Sequence, residues 1–177
     1  MTDEKDLIER VKRGEARASR ELYGRHVGPL YRFLRQHSDD AFLIEEWVQR
    51  AFIKAFHKIG SFQQSSKFST WLFTIAIHEM RSDLRRPTIV AFDSRAVDGW
   101  NGLEESPGDF LWEEAMRGSI RELDEAKRNV FLLYEVEGYS HREIASMLEI
   151  SEGTSRALLC RAKQFLKAKN ETKESAS

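Results

Sequence analysis

Residues 67–86, KFSTWLFTIAIHEMRSDLRR, decide how the first part of this chain folds. At 3.6 residues per turn the stretch divides into two faces, which is the pattern of an amphipathic helix. The apolar face consists of Leu72, Phe73, Ala76, Ile77, Met80 and Leu84. On the other side Thr74, His78, Arg81 and Arg85 follow one another at helical spacing, with Trp71 beside them. Basic side chains next to an aromatic ring suit a surface that holds phosphates and stacks on bases.

The composition predicts a protein with a sizeable core and no membrane span. The 177 residues are 41% hydrophobic, which suffices for one domain or two small ones. No run of about 18 apolar residues occurs, as a membrane-spanning helix would require. Four of the first six residues are charged and no apolar run follows Met1, so we expect no signal peptide. A single cysteine, Cys160, excludes an intramolecular disulfide and is typical of a reducing compartment, so we expect a soluble protein of the cytoplasm.

The net charge of −1 conceals an uneven distribution of charge along the chain. Residues 87–118 contain seven acidic and two basic side chains, whereas residues 153–169 contain five basic side chains and no acidic one. Residues 87–111 also hold two of the three prolines and three of the ten glycines. This composition predicts a flexible acidic linker at residues 87–111 and a basic element near the C-terminus.

Helical periodicity dominates the rest of the chain, and strand alternation is nearly absent. The predicted helices cover residues 4–13, 16–36, 41–59, 67–86, 124–137, 140–148 and 152–168, with a further helix beginning near residue 110. Gly28 and Pro29 should kink or divide the second of these, and Ser38–Asp40 should form a turn and the N-terminal cap of the third. We therefore predict an all-α fold of two small helical domains. The predicted boundaries are 1–86 for the first domain, 87–111 for the linker, 112–169 for the second domain and 170–177 for a disordered tail.

Residues 138–168 have the pattern of a helix-turn-helix. Ser140 and Glu143 form a capping box, and Ser151 is placed to cap the following helix. The apolar side of that second helix consists of Leu158, Leu159, Ala162, Phe165 and Leu166, and its polar side of Arg156, Ala157, Cys160, Arg161, Lys163 and Gln164. Ser155 falls on the apolar side, where it could reduce packing stability or its hydroxyl could bond to a backbone carbonyl. The polar side fits a helix that enters the major groove of DNA, although a basic outer face is equally often a solvated surface.

Taken together, these stretches resemble the extracytoplasmic-function (ECF) sigma factors, the small two-domain members of the bacterial sigma-70 family. The resemblance extends over about residues 4–168 and rests on four stretches in the family's order. These are residues 6–23, 45–52 (EEWVQRAF), 68–76 (FSTWLFTIA) and 123–165. The resemblance implies a promoter-specificity subunit of RNA polymerase that has no catalytic activity of its own and needs no cofactor or metal.

The resemblance also implies three sets of contact residues. Those for the clamp coiled coil of the polymerase are Glu45, Glu46, Gln49, Arg50 and Ile53. Those for opening and reading the −10 element are Lys67, Trp71, Thr74, His78, Arg81, Arg85 and Arg86. Phe73 and the loop Phe62–Phe68 are further candidates for capturing single-stranded bases, although the place of Phe73 on the apolar face favours the core for that residue. Those for reading the −35 element are Arg142, Thr154, Arg156, Ala157, Cys160, Arg161 and Lys163. The implied partners are core RNA polymerase, at its clamp and its flap, promoter DNA and an anti-sigma factor.

The chain departs from the family pattern at several of these positions. His78 stands where the family has an asparagine implicated in holding a flipped promoter base, and imidazole presents different hydrogen-bond geometry. Glu46 replaces an aspartate, and Arg50 replaces an acidic residue in the clamp-binding helix. Asp124 replaces a common proline, and Leu158 a common arginine. We therefore expect promoter preference and part of the clamp contact to differ from those of relatives.

Two alternatives stay open at this point. The chain could be a stand-alone helix-turn-helix regulator that binds duplex DNA without polymerase, with residues 1–86 as a ligand-sensing or dimerising domain. It could also be a sigma mimic that binds only protein. Enzymatic and metal-binding functions have little support, because the five histidines are scattered and no phosphate-binding glycine loop occurs.

Overall fold

The computed structural model describes residues 3–85 and 117–174, with side chains described as far as residue 171, and every regular element in these ranges is a helix. The chain divides into two compact units, Met1–Gly102 and Leu103–Ser177. The predicted all-α fold with two helical domains is confirmed. The predicted linker, residues 87–111, and the helix expected to begin near residue 110 fall outside the described residues, apart from a helical stretch at 117–121.

The first unit is built from four helices and a short 3₁₀ turn. They are α1 (Glu4–Lys12), α2 (Ala16–Leu34), α3 (Ala41–Lys58), the 3₁₀ turn Ile59–Ser61 and α4 (Phe68–Leu84). Gly14 ends the turn after α1 with a φ of +83°, a backbone conformation that favours glycine. The Asp40 carboxylate accepts a hydrogen bond of 3.2 Å from the Leu43 amide and so caps α3, as the sequence predicts.

Helix α2 continues through Pro29, which the sequence predicts to kink or divide it. Proline inside a helix removes one backbone hydrogen bond and costs about 3 kcal/mol. Val27, Gly28 and Leu30 beside it are all buried. The apolar area that these residues remove from water offsets the loss, so the helix is not divided there.

The core of the first unit lies where α3 and α4 pack against each other and against α2. Its largest fully buried side chains include Trp47 of α3, Phe33 of α2 and Phe73 of α4. Burial of Phe73 agrees with its place on the apolar face of residues 67–86. Leu84, assigned to the same face, is 51% exposed, because it lies in the last turn of α4, where the described part of the unit has nothing to cover it.

The second unit is a helix-turn-helix preceded by a supporting helix. After the helical stretch 117–121 come α5 (Glu125–Phe131), a π turn (Leu132–Val136), α6 (His141–Leu148) and α7 (Glu152–Glu174). Asp124, where the family has a proline, caps α5 by accepting a hydrogen bond of 2.9 Å from the Lys127 amide. The hydrogen bond from the Lys127 side chain holds the pKa of the Asp124 carboxyl below its usual value.

Two predictions about the last helix are wrong. Helix α7 runs to Glu174, so residues 170–174 belong to the helix and not to the predicted disordered tail. Ion pairs of Lys169 with Glu122 and of Lys167 with Glu171 support this extension, and its residues are mostly good helix formers. Phe165, assigned to the apolar side, is 40% exposed at the edge of that side, with the Lys169 ammonium 5.9 Å from its ring centre.

Within the described residues, no helix is both long enough and apolar enough to cross a membrane.

Candidate nucleic-acid interface

Hydrogen bonds fix the start of α6 and the turn between α6 and α7. The capping box at the start of α6 forms as predicted, since the Ser140 hydroxyl accepts from the Glu143 amide and the Glu143 carboxylate accepts at 2.9 Å from the Ser140 amide. Glu149 ends α6 in the left-handed conformation, with a φ of +57°. The Ser151 hydroxyl accepts a hydrogen bond of 3.0 Å from the Thr154 amide at the start of α7. The conformation of Glu149 and the cap at Ser151 together define the turn between the two helices.

Ser155, which is out of place on the apolar side of α7, has a side-chain partner in α6. Its side chain is fully buried, and its hydroxyl oxygen lies 2.9 Å from Nδ1 of His141. The His141 ring in turn stacks on Tyr134, with ring centres 4.5 Å apart and an interplanar angle of 23°. The hydroxyl thus bonds to a side chain and not to a backbone carbonyl, and the serine joins α7 to the first residue of α6.

The residues predicted to read the −35 element all lie on the exposed side of the helix-turn-helix. Among the described residues, the guanidinium groups of Arg142 and Arg161 take part in no ion pair. Arg156 forms an exposed ion pair of 3.0 Å with Glu152 one turn earlier, and exposed pairs of this kind contribute little. Lys163 reaches the Glu135 carboxylate at 2.6 Å, and this hydrogen bond raises the pKa of its ammonium. Arg142, Arg156 and Arg161 are therefore the better candidates for contacts with phosphates or guanine edges.

The remaining members of that set are small or engaged in the turn. Ala157 and Cys160 are exposed on α7 and leave room for close approach of a base edge. The Thr154 hydroxyl lies 2.8 Å from the Ser151 hydroxyl, so it belongs to the cap of α7 as well as to the exposed face.

On α4, only part of the predicted aromatic set reaches the surface. Phe62 and Phe68 at the ends of the preceding loop are buried, which argues against base capture by either ring, and Phe73 is buried in the core, as its place on the apolar face favours. Trp71 is half-buried and stacks on Phe62, with ring centres 4.8 Å apart and an interplanar angle of 20°. One face of the indole is thus held by the core, which fixes its orientation and leaves its outer part at the surface.

The polar residues of α4 line one side of the helix as the periodicity predicts. His78 and Arg85 are exposed, Arg81 is half-buried and Lys67 is exposed at the N-terminal cap position. The Thr74 hydroxyl donates a hydrogen bond of 2.8 Å to the Thr70 carbonyl of the preceding turn, which leaves its oxygen able to accept another. Arg86 lies outside the described residues.

The exposed side of α3 carries the residues predicted to bind polymerase. Glu45 and Glu46 are half-buried, whereas Gln49 is exposed and Ile53 is 57% exposed. Phe42, 65% exposed, lies one turn before Glu45 and Glu46 on the same side. The surface thus has large apolar side chains at both ends and carboxylates between them. Phe42 was not predicted, although its separation of three and seven residues from Glu45 and Gln49 is the helical spacing that identifies one face.

Arg50 does not project away from α3 but bridges it to the end of α4. Its Nη1 lies 3.0 Å from Oδ1 of Asp83, and its Nε donates at 3.1 Å to Glu46. Asp83 also accepts a hydrogen bond of 2.9 Å from the indole Nε1 of Trp47. The hydrogen bond to Asp83 raises the pKa of Arg50 above its ordinary value. We refer to Trp47, Arg50 and Asp83 as the α3–α4 bridge.

Comparison with known proteins identifies the two units. The family model for sigma-70 region 2 matches residues 22–88, which include α3 and α4, and that for sigma-70 region 4 matches residues 113–166, which include the helix-turn-helix. The RNA polymerase sigma-H factor of Pseudomonas aeruginosa is 32% identical over 94% of both chains. The chain belongs to the sigma-70 family.

Further relatives place it in the extracytoplasmic-function group of that family. The ECF RNA polymerase sigma-E factor of Haemophilus influenzae is 31% identical over 96% of this chain and 95% of its own. Among solved structures, the sigma factor RpoE of Bartonella quintana, crystallised with the anti-sigma factor NepR, matches with a TM-score of 0.65 at 23% identity, covering 84% of this chain and 94% of that one. The latter likeness shows the shared fold.

In this ECF sigma-70 family member, the described residues contain no cluster of three His, Cys, Asp or Glu side chains placed to hold a metal ion.

Proposed function

We propose that this sigma-70 family member directs core RNA polymerase to promoters by reading the −35 element with α7 and opening the −10 element with α4. The strongest support is the position of the two faces in the matched family regions. The polar face of α4 lies in region 2, and the exposed basic face of α7 lies in region 4. A stand-alone duplex-binding regulator needs only the face of α7.

In the helix-turn-helix, the basic residues of α6 and α7 divide into specific and general contacts. Arg142, Arg156 and Arg161 are assigned to the −35 element, where a bidentate arginine contact distinguishes guanine by about 1–3 kcal/mol. Ala157 and Cys160 line the closest approach. Lys163 first has to release Glu135, so we assign it to a phosphate contact at the edge of the interface.

On α4, we assign Trp71 and His78 to unstacked bases and Arg81, Arg85 and Arg86 to the DNA backbone. Stacking of a base on an aromatic side chain contributes about 1–3 kcal/mol. Since Phe62 already covers one face of Trp71, the indole can receive a base only on its outer part. His78 offers one donor and one acceptor on its ring in the neutral form, so it can pair with a base edge.

For core polymerase we assign the exposed side of α3, formed by Phe42, Glu45, Glu46, Gln49 and Ile53. Two exposed apolar side chains around carboxylates suit a basic partner helix with apolar residues of its own. Both relatives named above carry RNA polymerase in their names, which supports the same partner here.

We also propose that an anti-sigma factor controls the chain, because the structurally similar RpoE of Bartonella quintana was crystallised with one. A partner that covers α3 would compete with polymerase for Phe42 and Ile53. This proposal predicts that such a partner and core polymerase bind in a mutually exclusive way.

The test compares the affinity of the free chain and of the reconstituted holoenzyme for DNA fragments selected by the holoenzyme from a random library. A sigma factor binds these fragments tightly only with core polymerase present, whereas tight binding by the free chain alone would support the regulator alternative. Arg156→Glu should weaken promoter binding and leave core binding unchanged, and Arg17→Glu, the same charge reversal at an exposed position of α2, is the control. Equal loss of core binding and promoter binding in Arg156→Glu would contradict the assignment to the −35 element.

A further inference from the structure

The α3–α4 bridge connects the helix assigned to polymerase with the end of the helix assigned to the −10 element. Asp83 lies in the last turn of α4, between Arg81 and Arg85 in sequence, and its side chain is only 15% exposed. From there it meets two groups of α3, the Arg50 guanidinium and the Trp47 indole nitrogen. Arg50 is simultaneously held by Glu46, one turn earlier on α3.

A carboxylate at this position is unfavourable unless it is compensated. The C-terminal end of a helix carries partial negative charge, so Asp83 is repelled by the carbonyls of its own last turn. It also adds negative charge to a surface that is assigned to DNA phosphates. Arg50 supplies the opposite charge and Trp47 a directed hydrogen bond, so these two contacts stabilise the carboxylate when α4 ends in this orientation against α3.

We propose that Arg50 and Asp83 are positioning residues, which orient the basic end of α4 toward promoter DNA from the polymerase-bound helix α3. In this assignment Arg50 is not itself a polymerase contact, which differs from the role that the family resemblance implies for it. The proposal rests on the proposed function. It adds to the proposed function by naming the residues that fix the position of Arg81 and Arg85 relative to the polymerase.

A second ion pair between the same two helices provides the matched control. Lys54 of α3 pairs with Glu79, one turn before Asp83 on α4, and the Glu79 side chain is 12% exposed. Lys54→Ala thus also leaves a largely buried carboxylate of α4 without this cation of α3, but one turn away from the end of the helix. If the position of the last turn is what matters, Lys54→Ala should leave promoter opening unchanged.

The test uses holoenzyme at saturating core polymerase and a promoter selected from a random library by the wild-type holoenzyme. Permanganate reactivity of thymines measures opening, and a separate titration measures core binding. Arg50→Ala should lower the equilibrium constant for opening by roughly tenfold, since it removes the guanidinium that ties the largely buried Asp83 carboxylate to α3. Core affinity should remain within about twofold of wild type. Asp83→Asn in the Arg50→Ala background should restore part of the loss, because a carboxylate that no longer faces the α3 guanidinium is replaced by a neutral amide.

The salt dependence of promoter opening distinguishes a misplaced α4 from a smaller fraction of folded protein. If the end of α4 is misplaced, a phosphate contact is lost, and the slope of log K against log salt becomes shallower by about 0.7–0.9. A merely destabilised chain would reduce the active fraction and leave this slope unchanged. If Arg50→Ala does not fold, Arg50→Lys keeps the charge and should show the same change of slope in smaller measure, because an ammonium lacks the planar fork.

Each other outcome overturns the proposal. Opening and salt slope equal to wild type in Arg50→Ala would show that the bridge does not position α4. A loss of core affinity as large as the loss of opening would make Arg50 a direct polymerase contact. If the wild-type chain itself gives no opening, the proposed function fails, and this result is distinguishable from failure of the bridge alone.

Discussion

Replacing Ser155 by alanine tests how the recognition helix is held against α6. The change removes a buried hydroxyl whose oxygen lies 2.9 Å from Nδ1 of His141. A net contribution of about 1 kcal/mol is expected for such a hydrogen bond, and a half-buried ring nitrogen that loses this partner adds to the loss. Alanine is the better helix former by about 0.5 kcal/mol, which offsets part of it. The net expectation is a loss of about 1 kcal/mol in the free energy of unfolding.

The control for this prediction is Ser146→Ala. Ser146 is exposed on α6, so the same atoms are removed from a helix without loss of the contact to His141. It should therefore leave the stability unchanged or raise it by up to about 0.5 kcal/mol. A double-mutant cycle with His141→Ala should return a coupling energy of about 1 kcal/mol.

Hydrogen exchange on the full chain provides the measurement, because it reports the two units separately. Amides of α6 and α7 should exchange about fivefold faster in Ser155→Ala, the factor that corresponds to 1 kcal/mol, while α2 and α3 are unchanged. Equal protection of α7 in Ser155→Ala and Ser146→Ala would refute the reasoning. So would strict additivity with His141→Ala.

Three further predictions concern single residues. Burial lowers the pKa of His26 below its usual 6.5, against the opposing effect of Glu4, so the folded state binds fewer protons near pH 6 than the unfolded state. The contribution of His26 to stability should therefore be complete above pH 6.5 and fall as the pH drops below that value. Urea midpoints compared across pH should show this dependence in the wild type and not in His26→Gln. Gly138 has a φ of +72° with open space around it, so Gly138→Ala should lower the free energy of unfolding by about 1 kcal/mol through backbone strain alone. Gly24→Ala, inside α2, should instead be stabilising, and thermal melts of the two variants provide the comparison. Ser140→Ala removes the capping box of α6 and should lower the unfolding free energy by about 1 kcal/mol, and no change in the melt of the second unit would contradict the role of the cap.

Local sequence patterns predicted most of the helical architecture. The caps at Asp40, Ser140 and Ser151 and the apolar faces that include Phe73 act over one or two turns, so spacing alone identifies them. The end of α7 was missed because ion pairs with residues outside the stretch stabilise it. The exposure of Phe165 and Leu84 depends on what neighbouring elements leave uncovered, which periodicity does not record.

The sequence predicts those parts of the candidate interface whose residues share one face of a single helix. Trp71 and His78 on α4 and Arg156 on α7 reach the surface as their spacing requires. The α3–α4 bridge was not predictable, because its partners lie 33 and 36 residues apart and meet only after the two helices pack. For the same reason the histidine partner of Ser155 could not be read from the helix that carries the serine.

Chain-dependent transcription tests the central claim most directly. Core RNA polymerase is incubated with a random library of DNA fragments, with and without this chain, and the run-off transcripts are sequenced. We predict transcripts only in the presence of the chain, initiated downstream of two shared elements at a fixed separation, one for α7 and one for α4. Absence of chain-dependent transcripts, with tight duplex binding by the free chain, would contradict the claim.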